Sequence, residues 1–428
     1  MGQNLATHTR VLDAQVRFLY QPFLRPLHLS TGDITEITEA IAEVRVLVNG
    51  REQVGRGSIY LSDLWAWPHP TLLHDARDAY LRQLCEEVAE RLSSLCGGEE
   101  AHPLELGLRL HDAVLRMPTP GNPPPLARAI CASPFDAAIH DAVGIALQCS
   151  AFELYQEAAS LPSADPFFKG GSACDAITRM LRKTPVTQFD AWLVVSGADN
   201  LETEVAPWIR ERGYHAFKVK LKGRDALEDA RCTSHVFHAV REFGAAHPRL
   251  CVDANCATPD AESVLAFLEC LKREDPEAYV ALEYLEQPTG RDIELHANNW
   301  RPVTKHKPVL LDEGLTGLEI MEVAREQGWS GFALKTCKGQ SVALTVGAWA
   351  QEAGLQLALQ DLTNPGISAV HAALFAAYVP TINGIELNSA QFTPAANADW
   401  LPRLASLLEP YDGIHHLPAI PLGLGSML

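Results

Sequence analysis

Short apolar runs in the second half of the chain end in a restricted set of ionisable residues. AFKVKL carries Lys218 and Lys220, LCVDAN ends in Asp253 with Asn255, YVALEYLEQP in Glu286, PVLLDEG in Asp312 and Glu313, and GFALKT in Lys335. The steps from Lys220 through Asp253, Glu286 and Asp312 to Lys335 are 33, 33, 26 and 23 residues. Three carboxylates brought together repel one another and take up protons unless a cation joins them. Oxygen ligands without a nearby His or Cys favour Mg²⁺ over zinc or copper. Such an ion leaves positions for a substrate carboxylate and neutralises the charge formed when the adjacent carbon loses its proton. Lys220 and Lys335 would then act as acid and base from opposite sides. A lysine with a pKa of about 10.4 is a poor base. A positive field from Lys218 and the metal, with partial desolvation, is expected to bring it towards about 7–8.

The elements must bring these residues to one place. Alternate residues of a strand share a face, so Lys218 and Lys220 point the same way, with Phe217, Val219 and Leu221 opposite. Lysines facing water would be the plain explanation of that pattern. The other runs supply a better one. Eight runs recur from about residue 190: AWLVVSG, AFKVKL, LCVDAN, YVALEYLEQP, PVLLDEG, GFALKT, LQLALQD and INGIELN, most of them separated by helical stretches. Strands alternating with helices predict an α/β fold, either a (β/α)8 barrel or a doubly wound sheet, and the number of runs favours the barrel. A barrel repeat of about 31 residues matches the observed steps, and barrel active sites lie at strand C-termini. The lysines then face a ring of carboxylates. Glu283, three residues before Glu286, should face the other side, and Lys338 falls in the loop beyond Lys335.

Residues 10–60 read as antiparallel strands with a turn at Asn49-Gly50. Helical periodicity covers 72–96 and 126–158, with Ser133 and Pro134 suited to an N-cap and first helical position. This predicts an α+β domain over 1–160, a linker or long loop over 161–187, a barrel over 188–390, and a segment over 391–428 that packs back on the first domain. The net charge of −18 argues against nucleic acid or an anionic membrane as partner. Hydrophobic residues at 47% and charged residues at 21% are ordinary for a globular protein. Ten cysteines without CxxC pairs, no signal-like start, Ala6 where myristoylation wants Ser or Thr, and no run judged long enough to span a bilayer suggest a reduced, cytoplasmic protein.

The motifs KVK, VDAN, EYLEQP, LLDEG and ALKTCKG, in this order and at these separations, resemble the enolase superfamily, specifically its muconate-lactonizing-enzyme subgroup within the mandelate racemase/muconate lactonizing enzyme family. The likeness spans about 190–390, with the start and tail similar to the family's capping domain. It implies a modified (β/α)8 TIM barrel with an α+β cap completed by the C-terminal tail. A Lys or His base with Mg²⁺ is a known pattern of this superfamily, not a deduction from these residues. Carried over by position, the resemblance implies Lys220 and Lys335 as the opposed acid/base pair, with Lys218 tuning Lys220 or polarising the substrate carboxylate. It implies Asp253, Glu286 and Asp312 as ligands of Mg²⁺, or of Mn²⁺ as alternative, and Asn255 and Glu313 as residues that orient the ligands or Lys335. A mandelate-racemase-like member would carry KxH and a seventh-strand His, and this chain has neither.

Related dipeptide epimerases hold a substrate ammonium on an Asp-x-Asp at the eighth strand. The matching positions here are Glu386 and Asn388, one acid kept and one lost. Asp361 offers a second anchor for an amine or hydroxyl, and Trp65 and Trp67 are candidates to line the pocket. Lysines on both faces suit two-sided proton transfer, so the leading expectation is an isomerase, a racemase or epimerase of an amino-acid derivative or dipeptide. A cycloisomerase or syn-dehydratase of the muconate or o-succinylbenzoate type could use the same groups, which leaves a lyase open. A non-catalytic metal- and carboxylate-binding sensor is the reading from another class. The expected partner is a small carboxylate-containing molecule, and association into a homo-oligomer stays open.

Overall fold

The computed structural model describes residues 7–156 and 159–428. The N-terminal readings that rest on residues 1–6 lie outside the described residues.

Strands β1 (Thr9–Leu29), β2 (Gly32–Val48) and β3 (Arg51–Tyr60) form an antiparallel sheet in that order. Val48 pairs with Arg51 across Asn49 and Gly50, whose φ angles of 49° and 78° give the two-residue hairpin expected of Asn-Gly. Along β2, Ala40, Ala42, Val44, Val46 and Val48 turn one face inward. Helix Pro125–Leu147 lies so close to β3 that a Cβ on Gly57 would sit 2.2 Å from the Pro134 carbonyl oxygen. Only glycine admits that approach. Helices His74–Leu95 and Pro103–Arg116 complete the cap.

Three expectations change here. Ser133 and Pro134 do not start a helix; they lie inside Pro125–Leu147. Pro134 has no N–H for the Ile130 carbonyl, and Ser133 Oγ donates to that oxygen instead at 2.9 Å. The same helix, at 23 residues, is long and apolar enough to cross a bilayer, contrary to the reading that no run is. In the fold, 89% of its most apolar window is buried. It is a core helix, and β3, Pro103–Arg116 and the C-terminal tail cover it. Within the segment read as a loop, Ala173–Met180 is a helix capped by the Ser172 side chain.

A short strand β4 (Gln188–Asp190) precedes the parallel strands β5 (Trp192–Ser196), β6 (Ala216–Lys220), β7 (Arg249–Asp253), β8 (Leu282–Glu286), β9 (Val309–Leu311), β10 (Gly331–Lys335) and β11 (Gln356–Gln360). These seven neighbour one another in sequence order. The eighth run is not a full strand. Ile385 bridges Ala191 and Glu386 bridges Gln360, which closes the modified barrel between its first and last members. The reason is local: Gly384 has φ +69°, and the Asn383 side-chain amide takes the Leu359 N–H in place of a backbone carbonyl and shares the Leu359 C=O with the Glu386 N–H. In the tail, β12 (Ile414–His416) pairs with β4, while Leu424 and Ser426 bond Asp141 of the cap's core helix.

The register explains the lysine alternation. Phe217 and Val219 pack outward against helices, whereas Ala216, Lys218 and Lys220 face the barrel axis. Below the lysines an apolar layer of Trp192, Ala216, Cys251, Tyr284, Leu310 and Ala358 fills the interior.

Candidate active site

Parallel pairing places Ser196 beside Lys220, Lys220 beside Asp253, and Asp253 beside Glu286. Lys335 pairs with Gln360 on the far side of the sheet. The strand-terminal residues therefore reach one mouth. Asp253, Glu286 and Asp312 are each at most 1% exposed.

The ammonium groups interleave with the carboxylates. Lys218 Nζ lies 2.8 Å from Glu286 Oε1, 3.2 Å from Glu386 Oε2 and 3.4 Å from Asp253 Oδ2. Lys220 Nζ donates to Asp253 Oδ2 at 2.6 Å and to Asn255 Oδ1 at 3.1 Å. Opposite, Lys335 Nζ lies 3.0 Å from Asp312 Oδ2 and donates to Gln360 Oε1 at 2.6 Å. Gln360 Nε2 donates to Glu286 Oε2, so one amide ties the lysine of β10 to the carboxylate of β8. Lys338 donates to the Asp312 carbonyl at 2.6 Å and to its Oδ1 at 2.9 Å.

A second layer fixes these groups. Asn255, in a left-handed conformation at φ 42°, donates its N–H to Asp253 Oδ1 at 2.8 Å and its side-chain amide to Asp253 Oδ2 and Glu313 Oε1 at 3.2 Å each. Trp65 Nε1 donates to Glu313 Oε1 at 3.0 Å, and its ring centroid lies 5.0 Å from Lys335 Nζ. Trp67 does not reach the pocket; it packs on Tyr80 and His69. Asn388 Nδ2 donates to Glu386 Oε1 at 2.9 Å. Glu283 faces away, as expected, and pairs with Arg249 at 2.6 Å.

The electrostatics follow from charges packed without water. Burial pushes Glu286 up to about 8, with Lys218 opposing and Asp253 reinforcing. Burial works against ionisation of Asp253 and Asp312, yet Lys220 and Lys218 outweigh it at the first, and Lys335 and Lys338 at the second; both stay below the ordinary carboxylate range. The lysines depart from expectation. Burial disfavours the charge on Lys218, but Glu286, Glu386 and Asp253 outweigh it. At Lys335 burial is likewise outweighed, by Asp312. Both are held above their ordinary value, because carboxylates surround each ammonium more closely than ammonium groups surround one another.

The donor set fits a hard divalent cation. Counted as fully ionised, Asp253, Glu286, Asp312, Glu313, Asp361 and Glu386 set six carboxylates against the four ammonium groups of Lys218, Lys220, Lys335 and Lys338, and with two negative charges in excess the carboxyls of Glu286 and Asp361 are pushed up to about 8. Glu313 Oε2 is a buried oxygen without a hydrogen-bond partner, and Asp312 Oδ2 has only the Lys335 ammonium beside it, at 3.0 Å. The carboxylate oxygens gather around the ammonium groups and not around one common point. By distance alone, the closest gathering of possible ligand atoms among the described residues is Glu36, His74 and Asp75 in the cap, and Asp75 there is exposed.

A cavity over the mouth is lined by Lys218, Lys220, Lys335 and Asp361, and closed from above by Phe23, Leu27, Leu29, Ile34 and Ile37 of the β1–β2 hairpin. Neither that apolar roof nor Gln360 stands out in the sequence, and Lys338, set aside there as a loop residue, joins the ring through Asp312. Gln360 ends its strand as Lys220 and Glu286 end theirs, so the strand-end rule finds it once the seventh run stops one residue before Asp361. The roof has no local signal.

Residues 200–425 match the family model described as enolase C-terminal domain-like. That is more than half of the chain. The chain belongs to the enolase superfamily, in its mandelate racemase/muconate lactonizing enzyme branch. No curated protein sequence matches it. Solved structures share the fold at low identity. The muconate lactonizing enzyme from Pseudomonas fluorescens complexed with muconolactone is 18% identical, with TM-score 0.65, over 98% of this chain and 96% of that one. The dipeptide epimerase from Enterococcus faecalis V583 complexed with Mg and the dipeptide L-Leu-L-Tyr is 17% identical, with TM-score 0.66, over 97% and 99%. N-succinyl Arg/Lys racemase from Bacillus cereus is 18% identical, with TM-score 0.66, over 97% and 95%.

Proposed function

We propose that the protein removes the proton from the carbon next to a substrate carboxylate and returns a proton to that carbon, racemizing or epimerizing an amino-acid derivative or dipeptide. The observation that carries this reading is the placement of Lys220 and Lys335 on β6 and β10, with Asp253 and Glu286 ending β7 and β8 and Asp312 directly following β9 between them. Those three carboxylates would hold Mg²⁺, or Mn²⁺; when bound, the ion supplies positive charge that makes the proton beside a carboxylate more acidic. The chain's own groups do the rest. A neutral amine on one flank accepts the proton, the C–H electron pair passes into the carboxylate, and the ammonium on the other flank delivers a proton to the opposite face. Asn255 and Gln360 hold Lys220 and Lys335 at the ring, and the apolar hairpin roof excludes water from it.

A second reading, cycloisomerization or syn-dehydration, uses the same lysines with one acting only as a cation. Its support is the clasp of Asp312 and Gln360 on Lys335, which favours the ammonium form. Incubating the Mg²⁺-loaded protein in deuterated water with a panel of carboxylic acids tests both. Deuterium at the carbon next to the carboxylate with the skeleton unchanged supports the first; ring closure or loss of water supports the second. No turnover and no exchange across the panel would sink both and leave a binding protein.

A further inference from the structure

The loop after β11 is built around one unpartnered atom. Asp361 follows Gln360 and is 7% exposed. Its Oδ1 accepts the Thr363 N–H at 2.8 Å, while Oδ2 is buried without a hydrogen-bond partner. Thr363 makes that bond from a left-handed backbone at φ 64°, a conformation strained for a β-branched side chain. Thr393 Oγ pins the same turn by donating to the Thr363 carbonyl at 3.2 Å. Asp361, Leu362 and Thr363 all line the cavity over the lysines, beneath the hairpin roof.

The neighbouring acids are differently placed. Glu386 lies 3.2 Å from Lys218, and Asp312 lies 3.0 Å from Lys335. Asp361 has a strained turn aiming its carboxylate, and its second oxygen has no partner in hydrogen-bond geometry, with the Asn388 N–H and the Lys335 ammonium as the nearest groups that favour its charge. A buried polar atom left unpaired is costly, and a site that holds one selects molecules that supply the missing donor. Burial, reinforced by Glu386 and opposed by the Thr363 and Asn388 N–H groups and by Lys335, pushes this carboxyl up to about 8, so a substrate donor placed on Oδ2 would draw it into the ionised, accepting form.

We propose that Asp361 is a specificity-determining residue whose Oδ2 accepts an N–H or O–H of the substrate, so that the preferred class is a carboxylic acid bearing an ammonium or hydroxyl group beside an apolar side chain. The apolar part lies against Phe23, Leu27, Leu29, Ile34 and Ile37. This rests on the proton-transfer reading only in placing the substrate carboxylate at the lysine ring.

The test uses glycyl-L-leucine, glycolyl-L-leucine and acetyl-L-leucine, which share one acyl-leucine body and carry an ammonium, a hydroxyl and a hydrogen on its terminal carbon. Calorimetric titration into the Mg²⁺-loaded protein should show the first two binding at least about tenfold more tightly than the third. Preference for the ammonium probe alone identifies a cation as the donor, and comparable binding of both donors identifies the hydrogen bond as sufficient. Asp361→Asn presents a donor where the acceptor stood and should reduce the three to within about threefold of one another, with acetyl-L-leucine unchanged. Asp361→Ser, smaller and without the carboxylate, should do the same, and a thermal melt of each variant reports folding. Equal binding of the three probes by the unaltered protein, absence of binding included, overturns the proposal, as does a preference that survives both substitutions. Following solvent deuterium at the α-carbon of the same probes separates the two readings. Donor-dependent binding without exchange sinks the proton-transfer reading and keeps the role of Asp361. Equal exchange of all three probes, unaffected by Asp361→Asn, does the reverse.

Discussion

Among the described residues, two of the buried polar clusters are finished differently. Between the cap's core helix and the barrel, Ser341 donates its N–H and Oγ–H to Asp136 at 2.9 and 2.8 Å, and His140 Nε2 meets Ser341 Oγ at 2.9 Å. Tyr155 OH donates to His140 Nδ1 at 2.9 Å and accepts from Gln340 Nε2 at 3.2 Å, and His371 Nε2 donates to Gln340 Oε1 at 2.8 Å. Every donor in that chain has an acceptor. At the barrel mouth, Glu313 and Asp361 each keep one buried oxygen without a hydrogen bond, and the outer oxygens of Asp312 and Glu386 have only an ammonium beside them, Lys335 at 3.0 Å and Lys218 at 3.2 Å. The closed cluster locks two layers together, and the open one is an array of acceptors awaiting charge and donors. Residue type alone would mislead. Ser341, His140 and Asp136 have the composition of a nucleophilic triad, yet the serine donates to the acid and the histidine's remaining nitrogen is occupied by Tyr155.

The comparison breaks first at the lysines. Lys220→Ala and Lys335→Ala should each lower solvent exchange by about 10²–10⁴-fold, on opposite stereochemical faces, because each removes a positioned proton carrier. Unfolding by urea should show both variants folded. Exchange that survives on both faces would detach the open cluster from the proposed chemistry. Asp136→Ala tests the closed cluster. It strands the Ser341 and His140 donors in a dry interior, so stability should fall by about 3 kcal/mol in denaturant titration, while Mg²⁺ affinity stays within about twofold. A similar loss of metal affinity would mean that the two clusters are one unit.

The ladder end of the site could be read from the chain because parallel in-register strands turn sequence spacing into spatial convergence. Lys220, Asp253, Glu286 and Lys335 were placed by that rule, and the Asn49-Gly50 hairpin by turn chemistry. What escaped depends on tertiary contact. Ser133-Pro134 looks the same whether it caps a helix or repairs one internally, and the contact with Gly57 decides. Trp65 and Trp67 are equivalent in sequence, but one side chain reaches Glu313 and the other Tyr80. The hairpin from Phe23 to Ile37 becomes a roof only once the cap docks. Lys338 lies in a short turn after β10, and only the fold aims it at Asp312.

The closed cluster should also respond to acid. Burial first, then His140, with Asp136 opposing, lowers His371 to about 3. The unfolded histidine titrates near about 6.5. Between these values the unfolded chain binds a proton that the folded chain does not, so this contribution is intact above pH 6.5 and is lost as the pH falls. His371→Gln should flatten the stability–pH curve below pH 6.5 by up to about 1.4 kcal/mol per pH unit, measured by urea unfolding at pH 6.5, 5.5 and 4.5. An unchanged slope would mean that the network admits a proton.

The smallest effect has the opposite sign and therefore sharpens the contrast most. Burial, then Asp312 and Asp253, raises the Glu313 carboxyl above its ordinary value, so its ionised form is strained where it stands. Glu313→Gln keeps an acceptor for Trp65 Nε1 and Asn255 Nδ2 and removes the repelled charge. The variant should be more stable by about 0.5–1 kcal/mol, and it should bind Mg²⁺ more weakly, since one charge of the six-carboxylate set is gone. Calorimetric Mg²⁺ titration and thermal melts of the metal-free protein read the two effects separately. Loss of stability here would mean that the carboxylate's hydrogen bonds outweigh its repulsion, which would place Glu313 with the closed cluster. A gain in stability coupled to weaker metal binding is the mark of a residue kept for chemistry at a cost to the fold.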